Sequence, residues 1–100
     1  METIASIIKW HEETFPDATL LGQEEKFTEE FDEWCDAHGT ENEIKELADM
    51  FIVACGVARF SVTCELFATI YNNNYDPGAF QEALDNKMKL NRSRVWEKKD

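Results

Sequence analysis

The chain has 100 residues, 43 % hydrophobic and 12 % aromatic, and a net charge of −11. That suits a single domain spanning residues 1–100, apolar enough to build a core and too apolar for a disordered acidic tail. No apolar run approaches the ~20 residues of a membrane span, and direct binding of nucleic acid is not expected from so acidic a body.

Helical periodicity runs through the whole sequence, with no strand-like alternation bounded by hairpin signals. The first predicted helix covers about residues 3–14, with Ile4, Ile7 and Ile8 on its inner face and His11 a further candidate for that face. Phe15-Pro16-Asp17 interrupts it, because proline disfavours helix in the residue before it. The second runs from about 20 to 37, with Leu20, Phe27, Phe31, Trp34 and Cys35 as its apolar stripe, and stops at His38-Gly39. Thr40-Glu41-Asn42-Glu43 reads as a capping box, Thr40 accepting from a backbone amide and Glu43 reaching back. The third helix then carries Ile44, Leu47, Phe51, Cys55 and Ala58 inward. A fourth segment is expected from about Ser61 to Tyr71, followed by a loop at Asn72-Asn73-Asn74. Asp76-Pro77 opens the last helix, aspartate as cap and proline at the first position.

The fold expected from this pattern is all-α, a compact helical bundle built around an antiparallel helix hairpin. The aromatic load, three tryptophans and seven phenylalanines, is high for this length and points to completion of the bundle by oligomerisation. Cys35, Cys55 and Cys64 match no metal-ligand or CxxC spacing and read as small buried residues in a reducing cytoplasm. The start of the chain lacks the basic and apolar regions of a secretory signal. Charge is uneven: Lys87, Lys89, Arg92, Arg94, Lys98 and Lys99 put a net +4 on the final fourteen residues, against −15 on the rest. A basic segment on an acidic body suits a small polyanion bridged by metal, or equally a solvated acidic surface with a sticky tail, and charge alone does not separate the two.

The acids of the second and third helices carry the sharpest signal. Glu30 and Glu33 are three apart and share a helix face, and so do Glu46 and Asp49. The turn between the two helices is short, so they should be antiparallel neighbours. Glu33 and Glu46 stand equidistant from residues 39–40, as do Glu30 and Asp49, which makes one cluster of four carboxylates. Such a cluster repels itself unless cations compensate, and Mg²⁺, with Mn²⁺ as a substitute, takes oxygen ligands of this kind. A dinuclear iron site is disfavoured, because neither His11 nor His38 follows a glutamate at Glu-x-x-His spacing. A polar helix face and a helix C-terminus account for those two histidines.

Glu29-Glu30-Phe31-Asp32-Glu33, a gap of twelve residues, and Glu46-Leu47-Ala48-Asp49 together resemble the EExxE and ExxD motifs of the MazG-like all-α nucleoside triphosphate pyrophosphohydrolases. Lys26-Phe27-Thr28 is similar to that family's lead-in to the motif. Lys87, Met88, Asn91, Arg94 and Trp96 are similar to a C-terminal element of small phage and bacterial members. Trp10, Phe15-Pro16 and Gln23 also stand where such members have similar residues. The chain departs from the pattern at Asp32, where many members have a small residue.

The resemblance implies conversion of a (deoxy)nucleoside triphosphate to the monophosphate and pyrophosphate, for nucleotide-pool control or housecleaning. It implies Glu30, Glu33, Glu46 and Asp49 as ligands of Mg²⁺, with Glu29 orienting or deprotonating the attacking water or acting behind the ligands. Lys87, Asn91 and Arg94, on one face of the last helix, would meet phosphates and the base or sugar. Lys26 would contact phosphate or pair with Glu30. Trp10 and Phe15 are candidates for base stacking or for the core, and Trp96 for a cap on the body. Homodimers or homotetramers are implied as well. The competing expectation is a non-catalytic acidic interaction protein, such as a phage inhibitor that mimics DNA charge, with acids spread over one surface and no need for metal.

Overall fold

A computed structural model describes residues 1–61 and 77–96. They form four helices: α1 (Ile4–Thr14), α2 (Leu20–Asp36), α3 (Glu43–Ala58) and α4 (Pro77–Ser93). There is no strand among the described residues. The expected fourth segment, the Asn72–Asn74 loop, Cys64 and the Asp76 cap lie outside them. No described helix is long and apolar enough to cross a membrane.

Side-chain caps begin the first two helices. Thr3 and Ser6 form a reciprocal capping box on α1, and Thr19 accepts from the Gly22 amide at the start of α2. Each such cap satisfies a backbone donor that the helix itself leaves open, contributing about 1 kcal/mol. The box expected at Thr40 does not form. Helix α3 begins at Glu43, and its N-cap Asn42 makes no side-chain cap bond. The intervening chain turns through Gly39 at φ 80°, and Thr40 is used inside that turn. Its hydroxyl donates to the Ala37 carbonyl at 2.6 Å and accepts from the Asn42 amide at 3.2 Å. Glu43 does reach back, but to the Gly39 amide at 2.8 Å. The turn itself supplied nearer partners than the helix.

Helix α3 is the centre of the bundle and packs against α1, α2 and α4. Its buried residues include Leu47, Met50, Phe51 and Cys55, joined by Ile7 and Trp10 of α1. Helix α4 contributes Phe80, Leu84 and Met88, all at most 2 % exposed. Their four-residue spacing stacks them on one face, and burying each such side chain contributes about 1.5–3 kcal/mol.

Helix α2 behaves differently. Gln23 is its buried residue, while Leu20 and Phe31 are 40 % and 38 % exposed. Cys35, expected inside, is an exposed free thiol, whereas Cys55 is buried as expected. The reason is position: α2 lies at the surface against α3, so Leu20, Phe31 and Cys35 of its five-residue apolar stripe face outward.

Candidate functional site

The hairpin of α2 and α3 brings three of the four mirrored acids into one close group. Oxygens of Glu30, Glu33 and Glu46 lie within 4.8 Å of one another. Asp49 sits beside them and pairs with Lys87 of α4 at 3.2 Å. Burial, the Asp49 charge and the adjoining Glu33 and Glu46 push the Glu30 carboxyl up to about 7. Burial chiefly, then Asp49 and Glu33, also raises Glu46. Burial raises Asp49 against the opposing pull of Lys87. The cluster is therefore short of positive charge. Oε2 of Glu30 and Oε2 of Glu46 are buried without a hydrogen-bond partner among the described residues, an arrangement that costs about 1–3 kcal/mol or more for each group. A donor set made only of carboxylate oxygen, crowded and under-neutralised, fits a hard divalent cation.

A cavity of about 310 Å³ opens beside the cluster. Glu29, Glu30 and Asp49 line it, together with Lys26, Lys87, Asn91 and Arg94. Glu33 and Glu46 belong to the carboxylate cluster without lining the cavity. Glu29 and Lys26 are exposed residues at its edge. No ion pair of Lys26 with Glu30 is present among the described residues. Lys87 and Asn91 face the cavity because α4 turns Phe80, Leu84 and Met88 into the core, whereas Arg94, expected on the same helix face, lies just past the last helical residue, Ser93, and lines the cavity from there.

Aromatic rings form another part of the lining. Trp10, Phe15 and Trp96 pack mutually edge-on, with centroids 5.4–6.1 Å apart. Trp96 is held by its indole N–H, which donates to the Asn91 carbonyl at 2.8 Å, and by the Arg94 guanidinium 5.5 Å from its ring centroid. It caps the body as expected. Trp10 is both core and cavity wall, only 7 % exposed.

Of the two expectations for His11, the inner face holds and the polar face does not: it is 4 % exposed, its Nε2 lies 3.1 Å from Gln23 Oε1 and its Nδ1 lies 3.1 Å from Arg59 Nη1. Arg59 donates further to the carbonyls of Phe15 and Pro16 at 2.7 and 3.3 Å. Sequence reasoning did not assign this trio a role, because its members stand 12 and 48 positions apart. One signal was available: Arg59 is the lone basic residue between Lys45 and Lys87, at the end of an apolar helix, where a charge needs a fixed partner. His38, by contrast, is exposed and sits 3.4 Å from Glu43 at the end of α2.

Comparison with protein-family models, with curated proteins and with solved structures returned no match for this chain.

Proposed function

We propose that this protein is a Mg²⁺-dependent pyrophosphohydrolase that cleaves nucleoside or deoxynucleoside triphosphates to the monophosphate and pyrophosphate, with Mn²⁺ as an alternative metal. One observation carries the reading: a crowded carboxylate cluster with two orphaned buried oxygens adjoins a cavity that also holds Lys87 and Arg94. A metal-bridged polyphosphate satisfies both halves at once. The EExxE and ExxD motifs, and their resemblance to the MazG-like family, support the same assignment through the same acids.

In this reading Glu30, Glu33, Glu46 and Asp49 hold the metal. Once bound, Mg²⁺ supplies neutralisation at phosphate oxygens and a coordinated water of lowered pKa. Lys87 and Arg94 bind the triphosphate through charge-assisted hydrogen bonds, Lys26 adds positive charge at the edge, and Asn91 meets the sugar or base. In hydrolysis a water oxygen bonds to the α-phosphorus, the bond to the bridging oxygen breaks and pyrophosphate departs. The Glu29 carboxylate, at the edge of the same cavity, orients that water and takes its proton. The expected setting is a reducing cytoplasm, and the expected assembly is a homodimer or homotetramer formed through the outward apolar stripe of α2. A charge-mimicking inhibitor would gain nothing from carboxylates drawn together and half buried.

The test is direct. Purified protein is incubated with each common NTP and dNTP, in Mg²⁺ and in EDTA, and the products are identified. Monophosphate with pyrophosphate is expected, abolished by EDTA and reduced at least about 100-fold by Glu33→Gln or Glu46→Gln, each of which removes a charged ligand. Turnover that persists in EDTA, or in both variants, would sink the assignment.

A further inference from the structure

The polarity of the relay among Arg59, His11 and Gln23 follows from its chemistry. Arginine donates hydrogen bonds and accepts none, so Arg59 Nη1 makes His11 Nδ1 an acceptor. The imidazole proton then sits on Nε2, which donates to Gln23 Oε1. Anchoring of Arg59 to the Phe15 and Pro16 carbonyls sets this direction at its far end. Gln23 is 2 % exposed and lines the cavity. With its oxygen committed to His11, it has the amide N–H₂ left to offer, and that group has no partner among the described residues. Rotating the amide would set N–H₂ against the imidazole N–H, so the cavity is presented with a donor. The fit is tight: a Cβ at Gly56 would lie 2.6 Å from Gln23 Oε1 and 2.9 Å from His11 Nε2.

We propose that the part of the cavity walled by Trp10, Phe15 and Trp96 is a nucleobase subsite, in which the Gln23 amide donates to an exocyclic keto oxygen and so selects keto over amino bases. The proposal rests on the pyrophosphohydrolase reading for its class of ligand. Aromatic walls suit a planar heterocycle. An amino group at the same place would set donor against donor and leave a buried amide unpaired, which is where polar sites discriminate most strongly. Gln23 touches the base, whereas His11 and Arg59 are positioning residues that act through it.

Two nucleotide pairs isolate the effect, because ITP differs from ATP, and UTP from CTP, at one keto or amino position and the neighbouring ring proton. For the ring size turned over faster, kcat/KM is expected to favour the keto member by about tenfold or more. Gln23→Glu presents an acceptor instead and is expected to erase or invert that ratio. Arg59→Met frees the imidazole tautomer and should bring the ratio towards one, whereas a merely structural role would lower both members alike. If Gln23→Glu fails to fold, the wild-type ratio and Arg59→Met decide. The same pairs are titrated against intrinsic fluorescence in Mg²⁺, since Trp10 and Trp96 line the cavity. Pyrophosphate release without keto preference, or with a ratio that Gln23→Glu leaves unchanged, overturns the subsite and spares the hydrolase. Keto preference in binding without any turnover upholds the subsite and sinks the hydrolase. Neither binding nor turnover overturns both.

Discussion

Glu30 concentrates the electrostatic tension of the molecule. Its carboxyl is pushed from an ordinary 4.5 up to about 7, so between those values the folded metal-free protein holds a proton that the unfolded chain has released. Stability therefore falls as pH rises across that window: the contribution is complete below about 4.5 and lost as pH passes through about 7. In EDTA, melting temperature plotted against pH should slope downward between these limits. Glu30→Gln should flatten most of that slope and raise the metal-free melting temperature near neutral pH, because it removes the charge but keeps the shape. Glu46 and Asp49, also raised, leave a residual slope. Mg²⁺ should act in the opposite sense at pH 7.5, stabilising the wild type by about 2.7 kcal/mol when present at a hundredfold its dissociation constant. Glu30→Gln should lose most of that gain, and a melting temperature of the wild type unmoved by Mg²⁺ would count against the metal centre.

At the scale of elements, α3 links the core, the acids and the relay. Glu46 and Asp49 lie towards its start and Gly56 near its end, with the buried run of Leu47, Met50, Phe51 and Cys55 between. Gly56 is required because α3 passes so close to Gln23 and His11. Gly56→Ala should cost about 1–3 kcal/mol by overpacking, measured by denaturant unfolding, and should weaken nucleotide discrimination more than Mg²⁺ binding. The hairpin turn is the second element-scale constraint. Gly39 adopts φ 80° with open space around its Cβ position, so Gly39→Ala should cost about 1–2 kcal/mol from backbone strain alone.

For the molecule as a whole, the uneven burial of α2 is the main feature. Phe31, Trp34 and Cys35 follow i, i+3, i+4 spacing, with the Phe31 and Trp34 rings 5.9 Å apart and Phe31 and Cys35 exposed. A second copy covering this stripe would remove it from water. Sedimentation equilibrium should return a dimer or tetramer, and Phe31→Asp should shift the population towards monomer. A wild type that is monomeric at tens of micromolar would remove this part of the reading. The other whole-molecule feature is the docking of α4. Its core face of Phe80, Leu84 and Met88 fixes which way Lys87 and Asn91 point, and the Lys87–Asp49 contact ties α4 to the acidic cluster.

Local periodicity and turn chemistry determined the helical elements, the antiparallel pairing of α2 with α3 and the mirrored acids at 30, 33, 46 and 49, because these depend on spacing along the chain and on one short connection. The apolar period of α3 was equally plain, since a helix must bury a face repeated every three to four residues, whereas the core face of α4, Phe80, Leu84 and Met88, emerged with the structure. Tertiary structure alone decided the rest. Thr40 was drawn into the turn rather than the cap, and Cys35 was left outside, because packing at the surface fixes how far α2 is rotated. His11 became buried between Gln23 and Arg59 because α1, α2 and the end of α3 converge there, and no spacing rule relates residues 12 or 48 positions apart. Whether a polar residue is solvated or held in a relay is settled by what the other helices bring beside it, and that depends on three-dimensional closure.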